Sequence, residues 1–283
     1  METTTRDKAV DTYLDYYGFL PTNFLGELVQ GEYVQGFRRR LTKRWKSGKL
    51  HRPEKQNKYE SHRNKFDVYE RGGKKKYGTG FEHNLMAALI EANFEIAARK
   101  LGLKFISWEQ IKALPETPYQ TALSHTPFKL TANWGGEDHN FYPDGHPFKL
   151  KGPTGVLSFL FEADRDAEGN RNLTDAQRPY IEAKLLNYVA FTKSEGYRKH
   201  FGFPNLIVLF VTTSPRKCTN FEKLLLDITG GIGASNILFK PFPDFLEMET
   251  ALKPDTSFLS DPWPRAGHEP FDIVARLGGR KPG

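Results

Sequence analysis

Cys218 is the only cysteine in these 283 residues. Disulfides within the chain and multi-cysteine zinc sites are therefore excluded, and a reducing compartment fits. A single cysteine reads first as a small packed hydrophobe, with a catalytic thiol as the other reading. Long apolar runs are also missing. The strongest are Val156–Phe161 and Leu206–Val211, far short of the roughly 20 residues a membrane span needs. No membrane insertion is expected. The opening Met-Glu-Thr-Thr-Thr has neither the charge nor the apolar stretch of a signal peptide, so the chain reads as soluble and cytoplasmic. No Walker-type loop, dinucleotide fingerprint or internal repeat is present. Thr229-Gly230-Gly231-Ile232-Gly233 follows a helix instead of opening one.

Acidic charge is scarce in one place only. Residues 1–80 carry 18 Lys/Arg against 10 Asp/Glu, whereas 81–283 carry 23 against 24. The net charge of +7 therefore belongs entirely to the N-terminal part. A basic block beside a neutral body is the footprint of a polyanion-binding module on a scaffold.

Within that block, Val10, Leu14 and Tyr17 recur at helical spacing before Gly18. Phe24, Leu25 and Leu28 line a second short helix ended by Gly31. A third helix, about Glu32 to Lys46, presents Val34, Phe37, Leu41 and Trp45 on one face. Gly48 is a C-cap candidate. Lys49–Arg52 and Phe66–Glu70 read as a hairpin. Three helices, the third strongly basic, followed by a hairpin make a winged helix-turn-helix pattern. Arg38, Arg39, Arg40, Lys43, Arg44, Lys46, Lys49 and Arg52 are the DNA-binding candidates. The loop Pro53–Lys65 and the run Lys74–Lys76 add charge on or after the wing. Phosphate contacts from such groups give salt-dependent, largely sequence-blind affinity. The alternative is a solvated basic helix face. Tyr13, Tyr16 and Tyr17 read as core residues or, less simply, as nicking nucleophiles.

Phe81–Leu101 reads as a long helix with Leu85, Ala88/Leu89, Ala92 and Ile96 inward. His83, Glu91 and Glu95 fall on or near its polar faces. A surface position is expected for the two glutamates, with a metal-ligand role as the alternative. A strand at 103–107 follows, then a crossing loop over 112–140 with one strand at Phe128–Ala132.

The chemistry centres on Tyr142–Lys184. Asp144 stands between Pro143 and Gly145, after a short strand at His139–Tyr142. The apolar strand Val156–Phe161 ends in Glu162-Ala163-Asp164. Strand parity puts Glu162 and Asp164 on one side, about 7 Å apart. Ionised carboxylates at the end of a buried strand need a partner or a metal. Pairing the two strands across the Gly145–Gly155 connection would bring Asp144 to them. Hard cations such as Mg²⁺ or Mn²⁺ suit carboxylate oxygens and would polarise a phosphate. A capping box at Thr174–Gln177 opens the next helix, Pro179–Lys199, where Ile181, Leu185, Tyr188 and Val189 pack and Lys184 sits on their flank. Its stem can lie on the sheet while its ammonium reaches the acids. His139 and His146 flank Asp144, and loop histidines are usually just exposed. Strands at 205–211 and 236–240 and a helix at 220–227 complete an α/β, mixed-sheet half. The expected division is 1–80, 81–253 and an extended Pro/Gly-rich tail, 254–283.

Pro143-Asp144 followed by Glu162-Ala163-Asp164 resembles the PD-(D/E)XK restriction-endonuclease-like superfamily. The motif's lysine, two residues after the acid, is Asp164 here. In some branches that lysine moves to the next helix, and Lys184 matches this variant. With the basic arm, the layout over about residues 7–240 is similar to replication-relaxation proteins and MobC-type plasmid relaxases. The resemblance implies a restriction-endonuclease-like core behind a winged helix-turn-helix. It also implies a DNA nickase acting at an origin of transfer or replication, alongside other relaxosome proteins. Asp144, Glu162 and Asp164 would be its metal ligands, with Lys184 assisting. The three-histidine motif of tyrosine relaxases is absent. The alternative is an inactive DNA-binding accessory or replication regulator with a nuclease-like half.

Overall fold

The computed structural model describes residues 3–32, 35–53, 67–71, 80–165, 178–242, 245 and 253–280. The chain divides into two units, Met1–Lys100 with Asp244–Phe258, and Leu101–Pro243 with Leu259–Gly283. The division falls some residues later than the fall in basic charge, because the long helix ending at Lys100 belongs to the first unit. The architecture is mixed α/β.

In the first unit, Thr4 and Asp7 form a capping box that starts α1, Thr5–Tyr17, by satisfying orphan N–H groups. Gly18, at φ 80°, ends it. A strand the pattern did not announce follows, β1, Phe19–Pro21. Then come α2, Thr22–Gln30, α3, Gln35–Lys46, and β2, Val68–Glu70. β2 pairs antiparallel with β1, Phe19 opposite Glu70. The expected partner, Lys49–Arg52, contributes a single bridge from His51 to Glu70. The Lys49–Arg52/Phe66–Glu70 hairpin is thus corrected to a β1–β2 pair with one bridge at its edge. Phe19 and Leu20 are buried, and a Gly–Pro frame around two apolar residues is too short a signal to read as a strand. Val34, most of Pro53–Lys65, the run Lys74–Lys76 and the Thr174–Gln177 box lie outside the described residues. Next, α4, Phe81–Lys100, is buried on nearly every side from Leu85 to Ala98.

The second unit is built on a five-stranded sheet. Its strands are β3, Lys104–Ile106, β6, Phe148–Gly152, β7, Gly155–Asp164, β8, Ile207–Thr212, and β9, Ile237–Pro241. They lie in the order β3-β6-β7-β8-β9. The first two pairings are antiparallel and the last two parallel. The parallel pairings are made by crossover helices α7, Arg178–Lys193, and α9, Pro215–Ile228. These pack over one face of the sheet, where Leu160, Leu185, Tyr188, Phe210 and Phe221 join one apolar cluster. On β7 the opposite parity carries Phe159 and Phe161, whose rings meet Phe148 at 5.0 and 6.4 Å.

Between β3 and β6 come the short helices α5, Trp108–Ile111, and α6, Tyr119–Ala122. A separate hairpin follows, β4, Leu130–Trp134, with β5, Glu137–Phe141. Its turn is Gly135-Gly136, both at positive φ, the conformation a two-residue hairpin loop demands. The strand expected before Asp144 therefore pairs within this hairpin and not with β7. The antiparallel partner of β7 is β6, with Gly152 opposite Gly155 across Pro153-Thr154. The helix expected over 179–199 breaks at Glu195, φ 52°, before α8, Gly196–Phe201. Gly196 is required there, since a Cβ would lie 2.6 Å from the Phe191 ring.

The C-terminal stretch is not extended. It forms α10, Ser257–Ser260, a hairpin of β10, Trp263–Arg265, with β11, His268–Phe271, and α11, Ile273–Leu277. Asp272 caps α11 through Ala275 N–H, 2.8 Å. Trp263, Ile273 and Val274 are fully buried. Spaced apolar residues among prolines and glycines here serve as anchors.

Candidate active site

Asp144 reaches the sheet without belonging to a strand. Its backbone N–H donates to the Phe161 carbonyl, 3.2 Å. Its Oδ2 accepts from the Ala163 N–H, 2.9 Å. The loop after β5 thus extends the edge of β7 by two bonds and fixes the carboxylate at the strand's exit. Gly145 makes the approach possible. A Cβ there would fall 1.8 Å from Cζ of Phe161, so any side chain would push the loop off the ring.

Glu162 points to the face covered by α7. Lys184, on α7, donates to the Glu162 carboxylate and lies 3.4 Å from Asp144 Oδ2. Tyr188, one turn further along α7, donates its hydroxyl to the other Glu162 oxygen. The Tyr188 ring is held edge-on by Phe141 and Phe210, at 5.0 and 5.7 Å. Trp134 Nε1 donates to Asn187 Oδ1, 2.7 Å, and ties the β4–β5 hairpin to the same helix. Expected site residues Asp144, Glu162 and Lys184 are therefore brought together, and Tyr188 is an addition. Its helical position had marked it as packing, and its hydroxyl's target is set only by the fold.

Asp164 is turned elsewhere. Its Oδ2 accepts from Lys217 Nζ, 2.9 Å, in the first turn of α9. Lys217 is a buried lysine that the sequence reading did not mark, because it precedes the apolar stripe of its helix. The strand exit thus carries two acid–lysine pairs on one face.

Burial, and then the neighbouring Asp144 charge, push the Glu162 carboxyl well above the usual carboxylate range, with Lys184 opposing. Burial alone would lower the Lys184 ammonium, but the charges of Glu162 and Asp144 outweigh it and the net direction is up. The cluster as a whole therefore retains a proton that separate carboxylates would release. Burial and Glu162 also raise the Tyr188 phenol, which keeps it a donor.

The other candidates find different partners. His139 stacks on Trp134 at 3.8 Å, and His146 packs against Phe128. Among the described residues no group of three or more His, Cys, Asp or Glu is placed to hold a metal ion. Glu91 and Glu95, expected at the surface, are buried. Tyr16 donates to Glu91, Tyr17 and Tyr13 to Glu95, and Arg99 pairs with Glu95. Burial becomes tolerable because each carboxylate is met by donors. The same bonds account for the three tyrosines of α1. Burial and Glu95 raise the Tyr17 and Tyr13 phenols, the wrong direction for an activated nucleophile. His83 is half-buried on α4. Cys218 is buried, with Sγ 3.4 Å from Thr212 Oγ1, and burial pushes its thiol up to about 11.

The basic arm separates into two sets. Phe37, Leu41 and Arg44 form the inner stripe of α3. Arg44 is buried and pairs with Asp11 at 2.7 Å and Asp7 at 3.8 Å. Arg40 holds Asp7 through two nitrogens, chiefly by which the Asp7 carboxyl is held well below the carboxylate range. Arg38 and Arg52 both pair with Asp67, at 3.0 and 3.2 Å. Arg52 also lies over the Trp45 ring, 4.0 Å from its centroid. Arg39, Lys43 and Lys46 remain exposed at i, i+4 and i+7, one outward face of α3. Lys49 is exposed just beyond it. Half of the expected DNA-binding arginines and lysines thus hold the unit together, since a guanidinium can satisfy two carboxylates at once.

No helix among the described residues is long and apolar enough to cross a membrane. Comparison of the chain with family models, curated proteins and solved structures gives no match.

Proposed function

We propose that the chain is a metal-dependent, site-specific DNA endonuclease, a nickase acting at an origin of transfer or replication. In this reading the second unit is a restriction-endonuclease-like core and the first a winged helix-turn-helix module. The observation that carries it is the convergence of Asp144, Glu162 and Lys184 at the exit of β7. The winged-helix reading draws on the order α1-β1-α2-α3-β2 with β1 antiparallel to β2, and on the outward Arg39, Lys43 and Lys46.

Asp144 and Glu162 fit Mg²⁺ or Mn²⁺. They are hard oxygen donors drawn together around one cation, the Lys184 ammonium, and a Mg²⁺ site needs only one or two carboxylates beside water and phosphate oxygens. Bound there, the ion supplies charge against the phosphate and acidifies a water. The chain's own residues do the rest. The Ala163 N–H fixes the Asp144 rotamer. Tyr188 holds Glu162. Lys184, its ammonium between the two acids, is placed to orient a water or to face a phosphate oxygen.

A second reading has its own support. Asp164 stands where the nuclease motif has lysine and is neutralised by Lys217, and Lys184 already spans both acids. A DNA-binding accessory or replication regulator that no longer cuts would look the same. Supercoiled origin plasmid incubated with Mg²⁺, Mn²⁺ or EDTA separates the two. Nicking that needs metal and disappears in Asp144→Ala, Glu162→Ala and Lys184→Ala supports the nickase. Salt-dependent binding without nicking in any metal supports the accessory, as would stable assembly with other relaxosome proteins.

A further inference from the structure

Tyr180, Lys184 and Tyr188 recur every four residues along α7 and so share one stripe. Tyr188 is fully buried and Tyr180 is 63% exposed. The stripe runs from the core, past the two carboxylates, into solvent. The Tyr180 ring centroid lies 5.3 Å from Lys184 Nζ. Tyr142, two residues before Asp144 in the chain, is 53% exposed. The helix and the loop that supply the cluster thus each also carry an exposed tyrosine within four residues of a cluster residue. A single exposed aromatic needs no explanation, but an exposed ring held against the ammonium of a charged site does.

We propose that Tyr180, with Tyr142, is a stacking platform for an unpaired base next to the phosphate handled by Asp144, Glu162 and Lys184. The substrate is then DNA that is single-stranded or locally unpaired at the cut. The inference rests on the nuclease reading above. A nucleotide presents an anionic phosphate and a flat apolar base side by side. The stripe presents an ammonium and a flat ring side by side. In a duplex both faces of a base are covered by its neighbours, so an aromatic ring can stack only on a base that has left the helix. Stacking of this kind is sequence-tolerant, because every base has a π-face.

The test uses short single-stranded DNA carrying one 2-aminopurine, moved through the sequence, with the full chain in EDTA. The base's fluorescence should be quenched at one or two positions. Tyr180→Ala should abolish that quenching and weaken single-strand binding about tenfold, while Tyr180→Phe retains both. A fully paired duplex of the same sequence should show no quenching. Quenching unchanged in Tyr180→Ala and Tyr142→Ala, or equal in the duplex, overturns the platform. The readout needs no cutting. Tyr180-dependent quenching without nicking in any metal would remove the nuclease reading and leave the platform. Metal-dependent nicking of single-stranded and duplex DNA that Tyr180→Ala leaves unchanged would remove the platform alone.

Discussion

Lys184 Nζ stands 3.4 Å from Asp144 Oδ2 while also bonded to Glu162. One ammonium on a crossover helix therefore ties a loop carboxylate to a strand carboxylate 18 residues later in the chain. On the nickase reading, Lys184→Met should cut nicking about 100-fold, the loss typical of removing one charged donor at a reacting oxygen. Its cost in stability should stay below about 3 kcal/mol, because Glu162 can take up a proton instead of remaining buried and unpaired. Nicking rates and urea unfolding of the same preparation check both.

The raised Glu162 carboxyl gives stability a defined pH slope. A folded value above the unfolded one contributes stability that is fully present below the unfolded value and lost as pH rises through the folded one. Glu162→Gln lacks that loss. The variant should therefore gain stability relative to the parent as pH rises above the ordinary carboxylate range. Urea unfolding at one pH below that range and one well above it checks the sign. On the nickase reading, Mg²⁺ competes with protons for Asp144 and Glu162, so its binding to the parent should tighten as pH rises, measured by calorimetry.

The two sets of basic residues on α3 should separate cleanly. Arg44→Ala removes the close partner of Asp11 and a second cation beside Asp7, which keeps Arg40, and should cost about 3 kcal/mol. Because Arg40 and Arg44 hold the Asp7 carboxyl low, its contribution is present above the unfolded carboxylate range and fades as pH falls through it. The triple change Arg39→Ala, Lys43→Ala, Lys46→Ala should move stability by about 0.5 kcal/mol or less. It should also reduce the salt slope of DNA binding by about three. Equal salt slopes in the triple variant and the parent would remove α3 as the DNA-binding face.

Gly145→Ala drives a methyl into the buried Phe161 ring. The expected cost is about 1–3 kcal/mol, with loss of nicking as Asp144 leaves its bonds to the β7 backbone. Adding Phe161→Leu should recover part of both. A single variant as stable and active as the parent would show that the loop does not depend on this contact.

The Cys218 thiol, buried and pushed up to about 11, should resist iodoacetamide until the chain unfolds. On the nickase reading, Cys218→Ala should nick within about twofold of the parent, since a buried, protonated thiol supplies no nucleophile.

Much of the second unit was legible from pattern. The apolar runs that became β7, β8 and β9 announced themselves, and so did the Asp144, Glu162 and Lys184 set. The strands expected at Phe128–Ala132 and His139–Tyr142 overlap β4 and β5, but their pairing with each other was not legible. The Gly135-Gly136 turn is a strong local signal, yet the strands are short and β5, Glu-Asp-His-Asn-Phe, is nearly all polar. The C-terminal tail was misread because its prolines and glycines outweigh its few anchors, Trp263, Ile273 and Val274. The buried glutamates of α4 were misplaced for a different reason. Glu91 and Glu95 are tolerable inside only because tyrosines about 75 residues earlier reach them, and no local window contains that fact.

Side-chain period and composition alone mark which segments alternate, where basic charge collects, and that two acids and one lysine lie around a buried strand. Those are local properties. How the charges pair is set by the fold. It gave Asp164 to Lys217 and Arg44 to two aspartates, left Arg39, Lys43 and Lys46 facing water, and set Tyr188 on Glu162. Charge pairing is settled by distances of a few ångströms between groups far apart in the chain, and by which of them burial makes unable to stay alone.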